Sequence, residues 1–256
     1  MNRIALSAAG VLTAFLVFAV SPYSAQANHA WGNYHWARTA NPFTLKLGDN
    51  VSGSWDSYLS TASADWSGSS VLDTTVVAGA ANPKNCRPTA GRVEVCNATY
   101  GNNGWLGIAQ IWVSGANITQ GAVKLNDTYY NTTKYNRPAW RQFVMCQEIG
   151  HTFGLNHQDE NFTNANLNTC MDYTSDPSSN DQPNAHDYDE LGIIYAHLDS
   201  TTTVGNGPSR APAASDLDSP GEWGRLVDKS ADGKAATFER DLGHGQKVLT
   251  HVYYAD

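Results

Sequence analysis

The sequence predicts an α+β fold, and three observations carry that reading. β-Branched and alternating segments concentrate in the amino half, two amphipathic helical segments follow, and two short strand-like segments close the chain. A length of 256 residues suits one principal domain with a small appendage.

The first 27 residues read as a signal peptide. Arg3 supplies a positive start, residues 4–20 are apolar, and Ala25-Gln26-Ala27 has the small-x-small pattern that signal peptidase cuts after. The apolar stretch is short for a bilayer span and no stop-transfer charges follow it. The expected divisions are therefore a signal peptide at 1–27, a principal domain at 28–199, a linker at 200–219 and a small C-terminal β extension at 220–256. The expected location is secreted, or extracellular.

Along the principal domain, residues 43–47 look extended. Residues 51–64 read as a helix, because Val51, Trp55, Tyr58, Leu59 and Ala62 recur at intervals of three and four. Residues 71–78 are β-branched and strand-like, and the region between Cys86 and Cys96 reads as a loop. Residues 105–113 and 121–130 read as two further strands. Pro138 sits where a helix can begin, and 139–154 is a plausible helix ending at Gly154. Residues 156–183 are rich in Asn, Asp, Ser and Thr, which favours turns. Residues 186–198 return to helix. After the linker, 235–239 and 247–254 are strand candidates too small to bury a core of their own.

The formal charge is −8, with no cluster of Lys and Arg, which argues against nucleic acid or anionic lipid as the main partner. No other segment is apolar and long enough for membrane insertion. The four cysteines are an even number in an oxidising compartment. Of three possible pairings, Cys86–Cys96 and Cys146–Cys170 are favoured because each closes a local loop. Each would contribute roughly 3 kcal/mol in the chain-entropy picture. A cysteine zinc site is disfavoured, since no C-x-x-C pair is present.

The chemistry concentrates in the segment QEIGHTFGLNH at 147–157. On a helix Gln147 and His151 share a face, with Glu148 about 100° around the axis. A metal held by positions 147 and 151 would have the Glu148 carboxylate beside it. Gly154 lets the backbone leave the helix, and His157 can return to the same metal. Three ligands leave one tetrahedral position for water.

This layout resembles the metzincin motif H-E-x-x-H-x-x-G-x-x-H in all but its first position. The resemblance extends to Thr169-Cys170-Met171-Asp172-Tyr173, which looks like the Met-turn of that clan. It implies a metzincin-like catalytic domain of matrixin or astacin type, with a twisted mixed sheet, an active-site helix and a Met-turn. It further implies a Zn2+ cofactor on Gln147, His151 and His157. Glu148 would be the general base, and Tyr173 a donor to the developing oxyanion. The implied activity is zinc metalloendopeptidase action on a polypeptide substrate, by a monomer. A Cys146–Cys170 bridge would tie the metal helix to the Met-turn.

Gln147 stands where the clan has histidine, and a carboxamide oxygen is a poorer zinc donor than imidazole. Three readings stay open. Gln147 Oε1 binds zinc in a weaker site; zinc sits on His151, His157 and a substitute such as Asp159; or metal binding fails and the chain is an inactive metzincin-like secreted binding protein. A cell-surface structural protein is a further class. Residues 106–113 read equally as an interior strand or as the sheet edge along which metzincins align substrate. Residues 158–181 lack a spaced calcium loop. Sequons at Asn97, Asn117 and Asn161 matter only in a eukaryotic secretory pathway. Cys86 lacks the surroundings of the matrixin cysteine switch.

Overall fold

A computed structural model describes residues 29–205, 217 and 219–256. The signal-peptide expectation at 1–27 and most of the linker lie outside the described residues. Nine strands among those residues form one mixed sheet. They are β1 (His35–Trp36), β2 (Phe43–Asn50), β3 (Leu72–Ala78), β4 (Val93–Ala98), β5 (Trp105–Ser114), β6 (Asn117–Asn126), β7 (Arg225–Lys229), β8 (Ala235–Gly243) and β9 (Gln246–Tyr254). The order is β3-β2-β4-β6-β5-β9-β8-β7, with β1 beside β6. Pairings among β1 to β4, and theirs with β6, are parallel, whereas β6-β5-β9-β8-β7 runs antiparallel. With four α-helices among the described residues, α1 (Asp56–Trp66), α2 (Asp127–Tyr130), α3 (Pro138–His151) and α4 (Ala185–Ile194), the architecture is α+β.

Several elements differ from the sequence reading for local reasons. The first helix begins at Asp56 and not at 51. Side chains take up the donors just before it: Asp49 accepts from the Val51 amide and Asn97 from the Ser52 amide. The Cys86–Cys96 region is only partly loop, because Val93–Ala98 is a strand between β2 and β6. The second strand of the 105–130 pair stops at Asn126, whose side chain accepts from the Thr128 amide and starts α2. Pro138 opens α3 as expected, and Gly154, at φ +95°, takes the left-handed turn that follows it. Around α4, Asn184 and Asp187 form a reciprocal capping box.

One face of the sheet packs against α1 and α3 in a core that includes Trp55, Trp66, Phe143, Ile149 and Met171. The opposite face carries a second core of Trp105, Ile108, Trp112, Trp223, Val248 and Val252. Burial on both faces explains why β5 reads as a near-continuous apolar run. Its flanks are filled as well, by β6 on one side and β9 on the other. The edge-strand reading of 106–113 is thereby corrected: the chain's own C-terminal strand lies where an added strand would pair. Both expected disulfides, Cys86–Cys96 and Cys146–Cys170, are present.

Candidate metal centre

The site forms where α3, the turns after it and β9 meet. Residues 142–151 of α3 are buried, so Gln147, Glu148 and His151 lie inside the molecule. Two glycines permit this depth. A Cβ on Gly107 would come within 2.4 Å of Val144 Cγ1 and 2.9 Å of Glu148 Oε1, so β5 approaches α3 closely only because that side chain is missing. A Cβ on Gly150 would meet Met171 Sδ and Trp66 Cζ2 at 2.6 Å, so the helix seats the 169–173 turn against its backbone. The Cys146–Cys170 bridge joins the same two segments covalently.

His151 and His157 come together with ring centroids 4.5 Å apart. His157 also lies 3.9 Å from the Tyr173 ring. A third imidazole joins them that the motif does not contain. His251 of β9 has its ring 4.1 Å from that of His151 and 4.8 Å from that of His157. One ligand atom from each of the three histidines lies within 4.8 Å of the others.

The hydrogen bonds orient these groups. His151 Nδ1 donates to the Leu155 carbonyl at 2.9 Å, which leaves Nε2 as a bare lone pair. Gln147 Nε2 donates to the Cys170 carbonyl at 2.9 Å. His251 Nδ1 lies 3.1 Å from Glu148 Oε2, and its Nε2 lies 3.2 Å from the Tyr173 hydroxyl. Five further buried atoms have no hydrogen-bond partner: His151 Nε2, both ring nitrogens of His157, Gln147 Oε1 and Glu148 Oε1. Each such group costs about 1–3 kcal/mol when left unmade.

Burial sets the protonation of the cluster. It lowers His151 and His251 to about 3 and His157 well below its ordinary value, and neighbouring imidazoles depress His151 and His157 further. Burial pushes Glu148 up to about 8. The imidazoles are therefore neutral near pH 7, the state in which they ligate metal. Burial also raises Tyr173, which stays a phenol and a donor.

Among the sequence candidates, Gln147, Glu148, His151, His157 and Tyr173 all converge on this region. Asp159 does not join the histidines, since its carboxylate accepts from the Asn161 amide and from Asn164 Nδ2. His251 was missed. A local signal existed: in 247–254 the odd positions 249 and 253 are Leu and Tyr, so a strand places His251 on their buried face.

No family model matches the chain, and no curated protein matches it. Among solved structures, the chain is similar to high choriolytic enzyme 1, a hatching enzyme zinc-protease from the medaka fish Oryzias latipes. That likeness has a TM-score of 0.36 at 9% identity, over 63% of this chain and 94% of that one.

Proposed function

We propose that the chain is a secreted zinc-dependent metalloendopeptidase of metzincin type, with Glu148 as general base. One observation carries the reading: a buried cluster of three imidazoles in which His151 Nε2 and both ring nitrogens of His157, together with Gln147 Oε1 and Glu148 Oε1, have no hydrogen-bond partner. Buried nitrogen and oxygen donors suit a divalent cation such as zinc. His151 and His157 would hold it, with Gln147 Oε1 beside them. When bound, zinc supplies Lewis acidity that polarises a carbonyl and activates water. The chain's own groups do the rest. A cation beside it would favour the Glu148 carboxylate, which would then take a proton and return it to a leaving amine. The Tyr173 hydroxyl donates to the oxygen on which charge develops.

A second reading is favoured by the cover over the site. β9 fills the flank of β5, and Glu148, His151 and His251 are each at most 1% exposed. On this reading the centre is held closed, and the chain is a metzincin-like secreted binding protein without turnover. Zinc content of the purified protein, followed by casein cleavage with and without a chelator, separates the two. Chelator-sensitive cleavage that disappears in Glu148→Gln supports the peptidase. One bound zinc with no cleavage supports the closed centre, and a protein that never takes up zinc sinks the peptidase and leaves the inactive binding protein.

A further inference from the structure

We infer that His251, presented by β9, is the third imidazole ligand of the metal centre, in the role that the helix leaves to Gln147. The inference rests on the proposed function insofar as that function places a cation between His151 and His157.

Strand geometry delivers the ligand. Antiparallel register sets His251 opposite Ala109 of β5 and Thr237 of β8. Alternation turns Leu249, His251 and Tyr253 towards α3, and Val248 and Val252 towards the opposite core. Flanking contacts hold the strand in that register. The Tyr253 hydroxyl donates to the Thr174 carbonyl at 2.7 Å, just beyond the 169–173 turn. The Tyr135 hydroxyl donates to the Asp256 carboxylate at 2.6 Å.

The hydrogen-bond pattern around His251 matches that of a ligand. A metal-bound imidazole almost always donates its outer N–H to a carboxylate, carbonyl or water. His251 Nδ1 faces Glu148 Oε2 at 3.1 Å, as His151 Nδ1 faces the Leu155 carbonyl at 2.9 Å. With Glu148 as a carboxylate, both rings would keep Nε2 as the lone pair. Among the described residues the Tyr173 hydroxyl is the hydrogen-bond partner of His251 Nε2, at 3.2 Å, and a rotating O–H gives way to a cation at little cost. Beside His251, His151 Nε2 and both nitrogens of His157 are buried without hydrogen-bond partners, His157 Nδ1 having Glu160 Oε1 at 3.8 Å, an arrangement that packing alone does not call for. The amide at 147 is already committed through Nε2 to the Cys170 carbonyl. Its Oε1, buried without a hydrogen-bond partner, is a weaker donor to zinc than an imidazole nitrogen.

The test uses the full chain and zinc alone. X-ray absorption of the zinc-loaded protein counts imidazoles by their multiple scattering, independently of any cleavage. Three imidazoles are expected in the wild type and two in His251→Ala. Competition with a chromogenic chelator is expected to show at least a tenfold loss of zinc affinity in His251→Ala, against less than threefold in Gln147→Ala. Circular dichroism checks that the variants fold, and the wild-type spectrum decides if they do not. Two imidazoles in the wild type, or unchanged zinc affinity in a folded His251→Ala, overturn the inference. Loss of zinc in His157→Ala beside retention in His251→Ala overturns it while leaving the proposed function standing. A wild type that takes up no zinc overturns both.

Discussion

At Glu148 the two carboxylate oxygens meet different surroundings, Oε2 facing His251 Nδ1 at 3.1 Å and Oε1 buried without a partner. One oxygen can orient an imidazole while the other handles a proton. Glu148→Gln is expected to lower cleavage by about 10²- to 10⁴-fold, yet to keep zinc, because an amide oxygen still accepts from Nδ1. Glu148→Ala is expected to lose both; zinc analysis alongside casein cleavage checks the pair, and equal zinc loss in the two variants would contradict the division of labour. Tyr173→Phe removes the hydroxyl without the ring that packs on His157, so kcat is expected to fall about 100-fold with little change in KM. Steady-state kinetics read that directly. The residues of the 147–173 motif were legible in the sequence because their spacing is a property of one helix and two turns. For His251 alternation gave only its strand face, shared with Leu249 and Tyr253; that this face meets α3 depends on a pairing between residues far apart in the chain.

Elements were legible where local chemistry sets them. Pro138 and Gly154 bracket α3 through a fixed φ and a left-handed turn, and the expected and observed helices nearly coincide. β4 was hidden because Glu94 interrupts an apolar run; it lies fully buried, bonded to Arg92 and Asn50, and so behaves as an inside residue. Strand pairing was the least legible level. That β9 would lie on β5 depends on residues far apart in the chain, which composition and periodicity do not report. The close approach of β5 to α3 gives a test at this scale. Gly107→Ala must push Val144 and Glu148 aside, so it is expected to destabilise the protein by about 1–3 kcal/mol and to weaken zinc retention. Thermal unfolding and chelator competition measure both, and an unperturbed variant would show that the contact yields.

Across the whole molecule, one cation would join three regions: the carboxyl end of α3, the turns at 157–173 and β9. A ligand held by the folded state alone stabilises it by about 2.7 kcal/mol at a hundred times its dissociation constant. For a domain of this size each kcal/mol moves the melting temperature by roughly 2–4 °C. Chelation is therefore expected to lower the melting temperature by about 5–10 °C, and to speed hydrogen exchange in β9 more than in β2 or β3. A uniform change across the sheet would argue that zinc does not hold β9.

The partnership of His251 with Glu148 spans 103 positions and that with Tyr173 spans 78. Encounters so distant along a chain carry a high loop-closure cost and tend to be made late and slowly during self-assembly. A nascent molecule would then fold its helix and close its disulfides with the histidine cluster still lacking its β9 member. Competence to retain a cation would arrive as a final event, timed by the docking of a strand.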